Sequence, residues 1–141
     1  MDKYRRSLPI AFALGLAACS GGTPAVPSAG DAAPPAADTG ARIFNGNCVP
    51  CHQQNGQGIP GVYPSLAGSP VVLGDPAALA LWVIKGQRPA SMPAGRYSTT
   101  MLQFGWMKDG DAAALLTYVR SNFGNSAPPV DAAAVAKALG R

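Results

Sequence analysis

The residues best equipped for chemistry in this chain are two thiols and one imidazole. Cys48-Val49-Pro50-Cys51-His52 sets two cysteines three positions apart and places a histidine directly after the second. It is the only histidine in 141 residues. Three chemistries use such groups. A redox dithiol uses C-x-x-C, but within a βαβ pattern, and none surrounds this pair. A structural zinc ion takes four ligands as a rule. Here there are three, and the remaining cysteine, Cys19, has a use of its own. Covalent haem attachment uses the whole pentapeptide. The thiols add across the vinyl groups of the porphyrin, and the two intervening residues let one backbone turn match their spacing. The imidazole then ligates the iron from the proximal side. The stretch is read as the site of one covalent haem c, held by Cys48 and Cys51, with His52 as an iron ligand.

The second axial ligand is not another histidine. Met1 lies in a leader, which leaves Met92, Met101 and Met107. Methionine most often fills gaps in a core, and Met107, close to the start of a helix, reads that way. Met92 and Met101 remain as candidates beside an open sixth position.

The elements that must position these groups are helices. A helix capped by Asp38 or Thr39 runs to about Cys48, with Gly40 and Phe44 four apart on one face. Residues 53–58 form a polar, glycine-rich loop. Asp75-Pro76 starts a second helix carrying Leu79, Trp82 and Val83, closed by Gly86. Residues 87–106 form a loop long enough to be functional. The last main helix starts near Lys108 or Asp109, carries Ala112, Leu115, Leu116 and Val119 on its apolar side, and ends near Asn122. Beyond Pro128-Pro129, Asp131 caps a short helix, Ala132 to Leu139, expected at the periphery. The class is all-α.

From Asp38 to Asn125 the chain resembles the class I c-type cytochromes. Gly40 and Phe44 stand eight and four residues before Cys48, where that family places a glycine and an aromatic so that the first helix crosses closely against the last. By this resemblance Leu115 and Tyr118 meet Gly40 and Phe44. Pro64-Ser65-Leu66-Ala67-Gly68 is similar to the family's Pro-x-Leu-x-Gly segment. The resemblance implies that the Pro64 carbonyl accepts the second ring proton of His52 and that Leu66 packs on the haem face. Met101, Phe104 and Gly105 follow the family's order of ligand, phenylalanine and glycine, with Tyr97 four residues earlier. Met101 also lies 17 residues before Tyr118, the family's spacing, whereas Met92 lies 26 before it. The resemblance therefore implies Met101 as the sixth ligand, with Met92 the alternative because it forms the usual Met-Pro pair. It places Pro64, Leu66, Tyr97 and Phe104 in the haem pocket and makes Arg88, Arg96 and Tyr63 candidate propionate partners. The implied architecture is a class I cytochrome c fold, three to five helices around one covalently bound haem. The implied function is one-electron transfer between Fe(III) and Fe(II), without catalytic residues of an enzyme. The docking face is expected near the Cys51 thioether.

The ends define where this takes place. Residues 1–18 read as a secretory signal: Lys3, Arg5 and Arg6, then an apolar core too short to span a bilayer. Leu16-Ala17-Ala18-Cys19 resembles the bacterial lipobox, which implies lipid on Cys19. Residues 19–37 are rich in Ala, Pro, Gly and Ser and read as a flexible tether. The cytochrome domain is placed at 38–126 and a C-terminal extension at 127–141. The expected location is the periplasmic side of a bacterial membrane, inner or outer. Charged residues make up 13% of the chain, too few for a nucleic-acid face. Without the leader the formal charge of +4 falls to about +2, so net charge predicts no strong steering of partners. The expected partners are a redox protein donor and acceptor, of the dehydrogenase, oxidase or reductase kind. The Gly124-Asn125 tail resembles small periplasmic cytochrome domains of bacterial dehydrogenase complexes, so a fixed electron-transfer subunit of a membrane dehydrogenase or oxidase is the alternative. A five-coordinate haem sensor or peroxidase is disfavoured by the lack of a second histidine.

Overall fold

The structure is a computed structural model, and it describes residues 35–92 and 95–141. Cys19, the leader and nearly all of the tether lie outside those residues. The described chain forms six helices and no strand beyond an isolated bridge between Ile59 and Tyr63. Two of the helices are single turns, α2 (Val49–His52) and α3 (Pro70–Leu73). The other four are α1 (Ala36–Asn47), α4 (Pro76–Lys85), α5 (Asp109–Ser121) and α6 (Ala132–Leu139).

The α1 helix starts earlier than its polar residues indicate. It begins at Ala36, directly after Pro35, with no side-chain cap. Ala36 and Ala37 are strong helix formers, so they carry the helix back to the proline. Asp38 is left in the first turn, where its charge suits the positive helix end. The α4 start is as the sequence predicts: Asp75 accepts hydrogen bonds from the Ala77 and Ala78 amides, and Gly86 closes the helix at φ 68°. Ser69 caps α3 through the Val72 amide; four residues carry no periodicity, so this turn leaves no pattern in the sequence.

The α1 and α5 helices cross at Gly40. A Cβ there would overlap the Ala114 carbonyl oxygen and sit 2.7 Å from Tyr118 Cβ. Leu115 is buried in the same core as Phe44 and also lines the central cleft. Below the crossing, Phe44 is fully buried. Its ring lies 5.5 Å from that of Tyr118 and 4.9 Å from that of Phe123.

The C-terminal segment is part of the core rather than a peripheral piece. Val135 and Leu139 of α6 are buried, as is Val130 before it. These two α6 residues, four apart, form one apolar stripe that packs on α4 and α5. The Thr117 hydroxyl donates to the Val130 carbonyl and accepts from its amide, and Lys85 Nζ donates to the Leu139 carbonyl at 2.7 Å. Arg120 is buried and its guanidinium donates to the carbonyls of Val72, Gly74 and Pro128, at 2.6, 2.9 and 3.1 Å. One side chain of α5 thereby ties α3 to the segment entering α6. An eight-residue helix is marginal alone, so its placement depends on grooves that the sequence does not display.

Candidate functional site

The pentapeptide folds as one helical turn. The Cys51 and His52 amides both donate to the Cys48 carbonyl, at 3.2 and 2.8 Å. Gln53 then ends the turn at a positive φ of 62°. Burial, with the neighbouring Cys51 adding to it, pushes the Cys48 thiol up to about 11. Among the described residues no three His, Cys, Asp or Glu side chains come together as a metal-binding group.

His52 is buried, and its Nδ1 lies 3.0 Å from the Pro64 carbonyl oxygen. A carbonyl only accepts, so Nδ1 carries the proton and Nε2 keeps its lone pair. Burial lowers the imidazole's pKa below its ordinary value, with the Pro64 carbonyl acting against that. The ring is therefore neutral and fixed in the tautomer that presents Nε2 to a metal.

Two residues that the sequence did not single out for it hold this arrangement. Gly58 has φ +64°, and a Cβ there would overlap the Tyr63 carbonyl and lie 2.5 Å from the Pro64 oxygen. Its amide donates to the His52 carbonyl at 2.9 Å. Asn125, buried beyond the end of α5, donates to the Leu66 and Val119 carbonyls and accepts from the Gly68 amide at 2.8 Å. It pins the 66–68 segment that follows Pro64. Neither is visible in sequence, where a glycine and an asparagine in loops read as turn residues.

Gly58→Ala is expected to displace the Pro64 carbonyl from His52. An alanine at positive φ and overpacking against backbone together cost about 2–4 kcal/mol. With the imidazole less basic, the ferric state of the haem-loaded protein is less stabilised. Thermal unfolding should show the loss, and a redox titration should show a higher potential. An unchanged potential in a folded variant would remove Gly58 from this role.

Cys48, Cys51, His52, Pro64, Leu66, Tyr97, Met101 and Phe104 come from separate stretches of the chain, and all line one cleft of about 950 Å³. Clefts that bind cofactor-sized groups reach roughly this size. Apolar walls come from α4 through Leu79 and Val83 and from α5 through Leu115, Leu116 and Val119. Met101 is half-buried and packs against the core. Met92 also lines the cleft, while Met107 is buried in the core away from it. The loop carrying Met101 is fastened at both ends. The Thr99 hydroxyl donates to the Val62 carbonyl at 2.6 Å, and the Phe104 amide donates to the Val83 carbonyl at 3.1 Å. Tyr63 stands beside Cys51; their hydrogen bond, and then the negative charge of a Cys51 thiolate, raise the phenol's pKa.

The lining fits a porphyrin. It joins a thiol pair and an oriented imidazole to apolar walls and a thioether. Arg88 and Arg96 lie on it, and among the described residues no carboxylate does, which suits a macrocycle bearing two carboxylates.

Residues 37–123 match the family model described as Cytochrome c. Cytochrome c-552 of Thermus thermophilus is 36% identical over 92 residues, covering 62% of this chain and 70% of that protein. A protein of the same name from another strain of that species is 36% identical over 92 residues, with 62% of each chain covered. The cytochrome c subunit of an alcohol dehydrogenase (quinone) from Gluconobacter oxydans is 32% identical over 93 residues. That match takes in 64% of this chain but only 20% of the subunit. The matched span runs from α1 through the end of α5 and takes in the cleft, and on that ground the chain belongs to the cytochrome c family, an electron-carrier family whose prosthetic group is haem c.

Proposed function

We propose that this chain is a tethered one-electron carrier working outside the cytoplasm, with one haem c bound to Cys48 and Cys51 and ligated by His52 and Met101. The observation that carries the proposal is the convergence of the thiol pair, the Pro64-oriented imidazole and the half-buried Met101 on one apolar cleft. Haem c supplies a reversible Fe(III)/Fe(II) couple when bound. The protein's own residues do the rest. Pro64 and Gly58 hold His52 in its ligating tautomer. The Met101 thioether would supply the second iron ligand and so exclude small-molecule substrates. The walls of α4 and α5 keep water out, which limits reorganisation when charge changes. Arg88 and Arg96, on the cleft lining, would pair with the carboxylates of the haem. Cys19 carries the lipid, residues 19–37 give the domain reach, and the domain stands on the periplasmic side.

A second reading is favoured by one comparison. The dehydrogenase subunit from Gluconobacter is named as part of a larger enzyme, and by that likeness the chain is a fixed electron-transfer subunit. Membranes from cells producing the full chain, extracted gently, separate the two. A red protein recovered alone supports the carrier, and stoichiometric co-purification with an oxidoreductase supports the subunit. The reduced protein is expected to bind carbon monoxide slowly. Rapid binding, or peroxide turnover, would replace both readings with an open-site haem protein. Cys19→Ala should move the protein from the membrane to the soluble fraction, and failure to do so would remove the lipid anchor.

A further inference from the structure

Among the described residues Arg120 is the one lysine or arginine that is buried, with 4% of its surface accessible. It stands in the last turn of α5. Its Nε donates to the Pro128 carbonyl, and its Nη1 donates to the carbonyls of Val72 and Gly74. Among the described residues no carboxylate pairs with it. Arginine is almost never fully buried without a paired charge. Carbonyl oxygens satisfy its donors but carry no net charge, and a guanidinium does not give up its proton. One whole positive charge therefore stays uncancelled in the interior.

The five aspartates of the described chain are engaged elsewhere or exposed, and the chain has no glutamate. Asp75 follows Gly74, but it is exposed and accepts from the Ala77 and Ala78 amides. Asp131 lies just past Pro128, also exposed, and accepts from the Ala134 amide. Asp38 is exposed on α1. Water and salt screen these three. Asp109 and Asp111 belong to the opposite end of α5, and Asp109 pairs with Arg141. From Asp111 to Arg120 the helix rises about 14 Å.

The buried charge backs onto the cleft. Val72, whose carbonyl takes the shortest of the three bonds, lines the cleft. So do Val119, next to Arg120, and Leu116, one turn before it. All three are buried and apolar. Charges act on one another more strongly across such material than across water.

We propose that Arg120 raises the reduction potential of the haem, as a fixed positive charge behind the cleft wall. This rests on the electron-carrier reading above. One electron from a redox partner converts ferric to ferrous haem and removes one unit of positive charge from it, with no bond made or broken. A cation close by disfavours the ferric state more than the ferrous one, so it shifts the couple toward reduction. The three carbonyls come from separate segments, which holds the charge in one place in both oxidation states. Tying those segments together needs donors only; a neutral amide could serve two of the carbonyls without burying a charge.

The test is a redox titration of the haem-loaded full chain, followed by its visible spectrum. Arg120→Gln and Arg120→Met should each lower the ferrous-to-ferric ratio about tenfold at a fixed poise, or about 59 mV for one electron. The shift should persist at about 1 M salt, where exposed charges are screened within about 3 Å. Lys137→Gln, which removes an exposed cation from α6, should shift the ratio about twofold or less and lose even that in salt. Arg120→Lys separates charge from shape, because a buried ammonium can lose its proton. From about pH 9 down to about pH 5 its potential should climb from the glutamine value toward wild type, a step that wild type itself lacks. Unchanged potentials in the glutamine and methionine variants would overturn the proposal. A lysine variant that stays at the glutamine value throughout that range would do the same, since contact geometry would then be the cause. Loss of the sulfur-to-iron band in all three variants would make Arg120 a support for the iron ligands and overturn its role as a charge. A wild-type chain that takes up no haem, or lacks a six-coordinate spectrum, would instead defeat the electron-carrier reading beneath it.

Discussion

Met101→Leu in the haem-loaded protein is expected to abolish the weak sulfur-to-iron charge-transfer band of the oxidised state, whereas Met92→Leu leaves it in place. Leucine keeps the volume and the half-buried packing of residue 101, so the fold should tolerate the change at a cost below about 1.5 kcal/mol. The thioether is lost, and with it the soft ligand that favours Fe(II). The potential should fall by on the order of 100 mV, a fraction of the roughly 0.8 V that axial ligation spans. The opened position should also admit carbon monoxide rapidly. Both methionines line the cleft, but Met101 alone also packs against the buried core. A ligand held by packing would keep its place in both oxidation states, and that supports the proposed choice of Met101. Loss of the band in Met92→Leu alone would reverse the assignment.

Gly40→Ala is expected to destabilise the domain by about 2 kcal/mol, the upper end of the overpacking cost less the gain in helix propensity. The added methyl overlaps the Ala114 carbonyl oxygen and lies 2.7 Å from Tyr118 Cβ. The first obstacle is backbone inside a helix, which cannot rotate aside as a side chain can, so α1 and α5 must separate. Such overpacking costs about 1–3 kcal/mol or more, and alanine's higher helix propensity returns about 1 kcal/mol. In a domain of about 100 residues the midpoint should drop by roughly 8–16 °C. Gly46→Ala in the same helix is the control. Nothing lies within 4 Å of its added methyl, so the helix should gain about 0.4–1 kcal/mol. Equal effects at the two positions would show that propensity, not the crossing, governs Gly40.

Legibility followed the range of the interaction involved. The Asp75 cap, the Gly86 stop and the starts of α5 and α6 depend on a few neighbouring residues, and each stands where the sequence places it. The α1 start was displaced because alanine propensity outweighed an available polar cap. The core position of α6 was not legible, since its two buried residues identify a stripe but not the groove between α4 and α5 that receives it. Arg120 reads in sequence as a basic residue near a helix end. In the structure it is buried among the carbonyls of Val72, Gly74 and Pro128.

The site divides in the same way. Cys48, Cys51 and His52 are close in sequence because one backbone turn must present all three to a single group, and that local requirement makes the motif readable without a fold. The helical class and the spacing of Gly40 and Phe44 from the motif were also determined by the sequence alone. Only the tertiary structure decided what surrounds them. It brought Gly58 against Pro64, clasped Asn125 over residues 66–68, set Leu115 on the cleft wall, and left Trp106 exposed against Phe104. Each of these depends on segments distant in the chain or on which side of a loop faces solvent. Those outcomes are set by the packing of all the helices together, and no local pattern of residue types encodes them.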